Sequence, residues 1–296
     1  MKRITDTITF IEGPFFQFPY CHCVLVQDDR CCFLDTAMPA SHLLEIIEGK
    51  QVDVVLYTHG HLDHVYNRNR IHKPFCLYPM EEMWMESEQK FLEAFGFSSS
   101  EEKVFGKLMM QAGEWSSGKP DGHLFAGQVI DLGKNRIQVL HLPGHTPGHC
   151  GFFFLDEGIL YSGDIDLTDF GPFYGNPVSS IEDFISSLEF LIELQPDMIL
   201  AGHGEGIVKR NVRQRLRDYR DIIFKREDDL VANLKRFGKA TLNEIVSWKT
   251  IYGKYNYPEE YEALYRVIER NMDVKHLERL IAQGRVVKDN EYYVVT

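Results

Sequence analysis

Three histidines and an aspartate fall within six positions of "THGHLDH", where His59, Gly60, His61, Leu62, Asp63 and His64 follow Thr58. An exposed loop gains nothing from such crowding, and a core is harmed by it unless the lone pairs are satisfied. A bound metal satisfies them most economically. His59 and His61 are two apart, so in extended backbone their side chains leave from one face. Asp63 and His64 follow where the loop should turn into a helix and can point at a second ion. Three more donors come from separate junctions: His145 in "LPGHTPGHC", Asp164 in "LYSGDID" and His203 in "ILAGHGEG". Each has glycine neighbours, which let backbone approach a site closely. Imidazole and carboxylate donors suit divalent transition metals, zinc above all, with iron or manganese compatible. Two dications about 3.5–4 Å apart can share a hydroxide, because metal binding lowers the pKa of water from 15.7 to about 7. Such a nucleophile would attack an ester, thioester, lactone or phosphodiester.

The elements that position these donors alternate in a regular way. "ITFIEG", "HCVLVQDD" and "RCCFLDTA" are short β-type runs broken by Gly and Asp. "SHLLEIIEG" has helical spacing, with Ser41 as cap and Gly49 as stop. "QVDVVLYTHGH" is a buried strand entering the histidine loop. Residues 80–123 read as a helical, lid-like insertion rich in Met, Phe and Trp. From Val129 strands return: "VIDLG", "RIQVLHL", "CGFFFLD" and "GILYSGD". The helix "SIEDFISSLEFLIEL" and the strand "DMILAGHG" follow. Past Gly206 the order is three helices and a hairpin, the last helix within "EEYEALYRVIERNMDVKHLERLIAQG", with Asp289-Asn290 expected as the hairpin turn.

The totals bound the class. A chain of 296 residues predicts one large domain, residues 1–209, and a smaller one, 210–296. Its apolar stretches are far shorter than a membrane-spanning helix needs, and the N-terminus lacks the unbroken apolar centre of a secretory signal. The expectation is a soluble, cytoplasmic protein whose six cysteines are reduced thiols in or beside strands. The net charge of −12 disfavours non-specific binding to phosphate backbones. A small-molecule substrate is the expected partner, with a homodimer contact through 80–123 as an alternative role for that insertion.

The donors HxHxDH at 59–64, His145 in "PGHTPGH", Asp164 in "SGD" and His203 in "GHG" resemble, in order and spacing, the metallo-β-lactamase superfamily over residues 5–210. The resemblance implies an α+β fold, a four-layer αββα sandwich with metals in a groove at one edge. It also implies that His59, His61 and His145 hold one ion, that Asp63, His64 and His203 hold the other, and that Asp164 bridges them. Asp63 would both ligate and orient. Departures narrow the class. The main antibiotic-destroying members usually carry Cys where this chain has Asp164. Flavo-diiron reductases carry Glu where it has His61. Nucleases with a large inserted domain need far more chain between Asp164 and His203. The pattern that remains is similar to glyoxalase II, the lactonases and lactamase-like hydrolases, several of which end in a small winged-helix-like module.

A dinuclear hydrolase of a thioester or lactone is the reading that follows. The alternatives are an endoribonuclease on single-stranded RNA, a mononuclear-iron persulfide dioxygenase and a non-catalytic ligand-sensing regulator. Around the donors, Asp35 is expected to support a ligand, and Tyr57, Tyr161 and Tyr174 are candidates to donate to an oxyanion. His141 and His149 flank the third ligand. His22, His42, His72, His123 and His276 are read as surface or hydrogen-bonded histidines.

Overall fold

A computed structural model describes residues 1–14, 17–255 and 261–296. Among these, the first sheet runs β1 (Lys2–Arg3), β2 (Ile8–Ile11), β3 (Cys23–Gln27), β4 (Cys31–Leu34), β5 (Val54–Leu56), β6 (Phe75–Leu77) and β7 (Gly122–His123), in chain order. The second sheet runs β8 (Val129–Asp131), β9 (Arg136–His141), β10 (Cys150–Phe154), β11 (Ile159–Tyr161), β12 (Met198–Leu200) and β13 (Ile207–Val208).

Side chains alternate across a strand, and this alternation builds the layers. Val24 and Val26, Cys32 and Leu34, and Val54 and Leu56 face Val139, Phe152, Phe154 and Tyr161 of the second sheet. Their neighbours Cys23, Leu25, Cys31, Phe33 and Val55 point the other way, onto Leu43 and Ile46 of α1 (Ala40–Ile47). On the outer face of the second sheet, Leu160 and Ile199 meet Phe184, Leu188 and Leu191 of α7 (Ile181–Leu194). The result is the four-layer αββα sandwich. The cysteines are free, and all but the half-buried Cys76 are fully buried.

The strand directions place the donors. β11 and β12 are parallel, and β10 is antiparallel to both β9 and β11. The C-terminal ends of β9, β11 and β12 therefore share one edge, the usual place for a ligand in such sheets. His145, Asp164 and His203 follow those ends. β5 delivers His59 and His61, and α2 (Leu62–Val65) carries Asp63 and His64.

Within 80–123 lie α4 (Met83–Glu86), α5 (Glu88–Phe95) and α6 (Ser100–Ala112) after α3 (Arg68–Ile71). They form a small core of their own around Trp84, Phe91 and Phe97, shared with Leu62 and Val267. The insertion is a packed unit with Trp84 and Phe91 wholly buried and Trp115 half-buried against them.

The C-terminal part comprises α8 (Val212–Phe237), β14 (Lys239–Thr241), α9 (Leu242–Ser247), α10 (Glu262–Ala282), β15 (Val286–Asp289) and β16 (Tyr292–Val295). Its three strands order as β14-β16-β15. Asp289 pairs with Tyr292, so the hairpin turns at Asn290-Glu291, one residue later than expected, with Asn290 in the left-handed region at φ 54. Another boundary also moves. α1 starts before Ser41, with no side-chain cap, although Gly49 does follow it at φ 69. The opening residues of the expected last helix, Glu259 and Glu260, lie outside the described residues.

α8 belongs to two cores. Val212, Leu216, Tyr219 and Ile223 pack under α7, whereas Leu230, Val231 and Leu234 pack against Ala240, Leu277, Leu280 and Val286. Their spacing of three, four and seven keeps one stripe inward along the whole helix.

Candidate metal centre

The seven donors converge as two sets. His145 Nε2 lies 3.2 Å from His59 Nε2 and 3.0 Å from His61 Nδ1. Asp164 Oδ2 stands 3.1 Å from His145 Nε2 and 3.9 Å from His59 Nε2. The other oxygen of the same carboxylate, Oδ1, is 2.8 Å from His64 Nε2 and 3.4 Å from His203 Nε2. His203 Nε2 is in turn 3.3 Å from His64 Nε2 and 3.5 Å from Asp63 Oδ2. Asp164 thus presents one oxygen to each set.

Hydrogen bonds on the far side of the rings fix which nitrogens face inward. His145 Nδ1 donates to the Phe173 carbonyl at 3.0 Å. His64 Nδ1 donates to Asp35 Oδ2 at 2.7 Å. The Thr58 hydroxyl donates to Asp35 Oδ2 at 2.8 Å, which leaves its oxygen to accept from His59 Nδ1 at 3.0 Å. Asn176 Nδ2 lies 3.0 Å from His61 Nε2, and Asn176 Oδ1 is buried without a partner. Amide O and N have the same shape, and with the two exchanged the oxygen accepts the His61 Nε2–H. Each of these four imidazoles then directs a lone pair at the centre of its set. Lone pairs facing one another and a carboxylate at about 3 Å repel unless a cation lies between them.

Two further features fit a cation. Asp164 Oδ1 is buried and makes no hydrogen bond. Burial lowers the pKa of His59, His61 and His145, which favours neutral imidazole. Burial would raise Asp164, but the surrounding histidines hold it well below the usual carboxylate range. Neutral imidazoles and ionised carboxylates are the forms that ligate. For His64 and His203 burial works downward, yet both are raised: at His64 by Cys21, Asp164 and Asp35, and at His203 by Asp164 and Asp63. That excess of negative charge is what a dication neutralises.

The opening of the site is read from exposure. His59, His61, His64 and His145 are almost wholly buried. The side chains of Asp63 and His203 are 27% and 18% exposed, so the centre meets solvent on their side. The glycines matter at two points. A Cβ on Gly60 would lie 2.5 Å from the Trp84 ring, and one on Gly202 would lie 2.9 Å from His64 Cε1.

The surrounding residues resolve the sequence expectations. Asp35 does hold a candidate donor, His64. It also accepts from the Thr58 backbone N–H at 2.8 Å and the Tyr161 hydroxyl at 2.8 Å. Cys21 joins Asp35 and His64 in a third convergence of donors, but it lies on the far side of the His64 ring, where Asp35 is already used. None of the three tyrosines is a free donor toward substrate. Tyr57 bonds with Thr36, Tyr161 with Asp35 and the His22 carbonyl, and Tyr174 with His276 and Arg226. All three are buried because inward positions of these strands and loops point into cores. His149 Nε2 accepts the backbone N–H of Asp164 at 3.2 Å, whereas His141 stacks on Tyr78.

Sequence reasoning missed Glu81. It is wholly buried; its Oε2 accepts the N–H of Gly60 at 2.9 Å and its Oε1 that of Gly148 at 2.7 Å. Burial raises its pKa against these bonds. It ties the His59–His61 turn to the loop that carries His145. Trp84 and Phe95 of the insertion set their rings 4.4 and 5.3 Å from His61.

Fold and donor set together define a metallo-hydrolase of the αββα class, and the comparisons agree. The profile described as "Metallo-beta-lactamase superfamily" matches residues 17–203. The chain belongs to that superfamily and is a hydrolase of it. It is 32% identical over 200 residues to a hydroxyacylglutathione hydrolase, GloC, from Haemophilus influenzae, covering 62% of this chain and 85% of that protein. It is 36% identical over 85 residues to the human acyl-coenzyme A thioesterase MBLAC2, covering 26% of this chain and 29% of that protein. A crystal structure of a metallo-beta-lactamase family protein from Thermus thermophilus superposes with a TM-score of 0.76 at 22% identity, covering 99% of this chain and 100% of the other. That likeness shows a shared fold over almost the whole length, C-terminal part included.

Proposed function

We propose that this protein is a dinuclear, zinc-dependent hydrolase of a small ester-like substrate, with an acyl thioester favoured over a lactone. The observation that carries the reading is Asp164, whose two oxygens face separate histidine sets. His59, His61 and His145 would hold one ion, Asp63, His64 and His203 the other, and Asp164 both. Bound dications supply Lewis acidity and make water nucleophilic near neutral pH. The chain's own residues do the rest. Thr58, Asp35, Phe173 and Asn176 hold the rings in the ligating tautomer. Asp63, the most exposed donor, is placed to orient the attacking water and hold a proton at Oδ2. Trp84 and Phe95 exclude water behind His61. The thioester preference rests on the relatives named for hydrolysis of glutathione and coenzyme A thioesters.

The C-terminal part is read as a winged-helix-like domain, residues 210–296, from its element and strand order. Its last helix does not offer a free face to nucleic acid. On α10, Arg270 reaches the Gly96 carbonyl, Asn271 that of Gly175, Lys275 that of Pro177, and Arg279 the Glu182 carboxylate. These bonds and the acidic body support a small-molecule substrate over RNA. Among the described residues no helix is long and apolar enough to cross a membrane; we infer a cytoplasmic protein.

Metal analysis of the purified protein beside a panel of S-acyl glutathione, acyl-coenzyme A, lactone, phosphodiester and short RNA substrates tests the proposal. Two zinc ions per chain and turnover of thioesters are expected. One ferrous ion with oxygen uptake, or turnover of RNA alone, overturns it.

A further inference from the structure

The C-terminal helices reach the donors at two places: Tyr219 of α8 donates to the Asp164 carbonyl at 3.4 Å, and α8 and α10 together hold one loop. Residues 170–176, between Asp164 and α7, supply the far-side partners of two inward-facing histidines. The Phe173 carbonyl accepts from His145 Nδ1 at 3.0 Å, and the Asn176 amide meets His61 Nε2 at 3.0 Å.

That loop is held from the other side by residues of α8 and α10. Arg226 Nη1 donates to the Pro172 carbonyl at 2.7 Å and to the Tyr174 hydroxyl at 2.9 Å, and its Nη2 donates to the Phe170 carbonyl. Asn271 Nδ2 donates to the Gly175 carbonyl at 2.8 Å. His276 Nε2 bonds with the Tyr174 hydroxyl at 2.7 Å. Arg226 is 6% exposed, and its guanidinium also lies 4.8 Å from the Phe170 ring centre. A guanidinium is expensive to bury unless its donors are used. Here they hold three alternate residues of one loop, Phe170, Pro172 and Tyr174. The planar fork suits that task better than an ammonium.

We propose that Arg226 and Asn271 are positioning residues for the metal centre. By clamping 170–176 from the C-terminal helices they fix the rings of His145 and His61. They thereby set the affinity of the ion shared by His59, His61 and His145, and leave the Asp63–His64–His203 set untouched. The inference rests on the dinuclear reading above. Its physical ground is that groups fixing the ring and tautomer of a ligating histidine are worth about 10–100-fold in metal affinity.

The test is zinc titration of the metal-free, full-length protein in competition with a chelator. The two binding steps are assigned beforehand with His61→Ala and His203→Ala, and the same steps are followed by visible absorption with cobalt(II). Arg226→Met and Asn271→Ala are each expected to weaken the His61-dependent step about 10–100-fold and leave the His203-dependent step within about two-fold. Arg226→Lys, which keeps the charge and part of the bonding, recovers some of the loss. If Arg226→Met does not fold, the half-buried Asn271→Ala carries the test alone. Equal weakening of both steps in a folded variant, or no change in either, overturns the proposal. Wild-type protein that takes up no zinc removes the dinuclear reading itself, and that result is visible before any variant is compared.

Discussion

Glu81 accepts the backbone N–H of Gly60, the residue between His59 and His61 of the first donor set, at 2.9 Å inside a fully buried setting. Its other oxygen takes Gly148, so one carboxylate closes two ligand loops on each other. Glu81→Ala leaves two N–H groups unsatisfied, at about 1–3 kcal/mol for each that stays buried. Glu81→Gln retains one acceptor and is expected to lose less. Urea unfolding with zinc bound checks the order; equal stability of wild type and Glu81→Ala contradicts it.

Removing the ions is expected to lower stability as well as activity. Binding to the folded state alone stabilises it by about 4 kcal/mol when free metal exceeds Kd by 1,000-fold. A chelator should therefore lower Tm, and added zinc should restore it. Asp164→Ala, which removes the shared carboxylate, should show a much smaller shift. Calorimetry with and without chelator reads both; a Tm indifferent to chelation of the wild type defeats the expectation.

Asp35 bears on the second ion set. It accepts from His64 Nδ1 at 2.7 Å and holds the ring with its other nitrogen inward. Asp35→Asn presents a weaker acceptor and should weaken the His203-dependent zinc step by about 10–100-fold. A smaller loss is expected in the His61-dependent step, because Asp35 also holds Thr58 against His59; a larger loss in that step than in the His203-dependent one contradicts the expectation.

A pH dependence separate from the metals sits at the start of α6. Burial tends to raise the pKa of Glu102, but the N–H groups of Ser99 and Ser98, the Ser98 hydroxyl and Arg270 outweigh it and hold the carboxyl down to about 2. Ser99 and Glu102 form a capping box. Because the folded pKa is depressed, the contribution is complete above the unfolded value of 4.5 and fades as pH falls toward 2. Glu102→Ala should cost about 1 kcal/mol near neutral pH, as loss of a helix cap does. The gap to wild type in denaturant unfolding should narrow between about pH 5 and pH 3. A gap constant over that range rules out the carboxylate as its source.

The donors were legible in the sequence because each is a side chain whose chemistry declares itself, and because glycine and a strand accompany each one. The strands were legible because β3, β4 and β10 are short, nearly unbroken apolar runs buried on both faces, and the sandwich followed from the family that the donor order resembles. What holds the donors was mostly not legible. Phe173 acts through its carbonyl, which no residue type announces. Glu81 stands beside Glu82 in "PMEEMW" with nothing to separate them, though one is wholly buried and the other forms an exposed pair with His123. Arg226 lies in a run of charges that reads as solvated helix. Tyr57, Tyr161 and Tyr174 carry hydroxyls suited to catalysis, and only burial reveals that these are already engaged.

The 26-residue α8 spans about 39 Å at 1.5 Å per residue, and its first half roofs the second sheet beside α7. A chain cut after His203 would keep every metal donor, yet Leu188 and Leu191 would lose their cover and the 170–176 loop its anchor. The candidate donors therefore end some ninety residues before the chain that packs around and anchors them does.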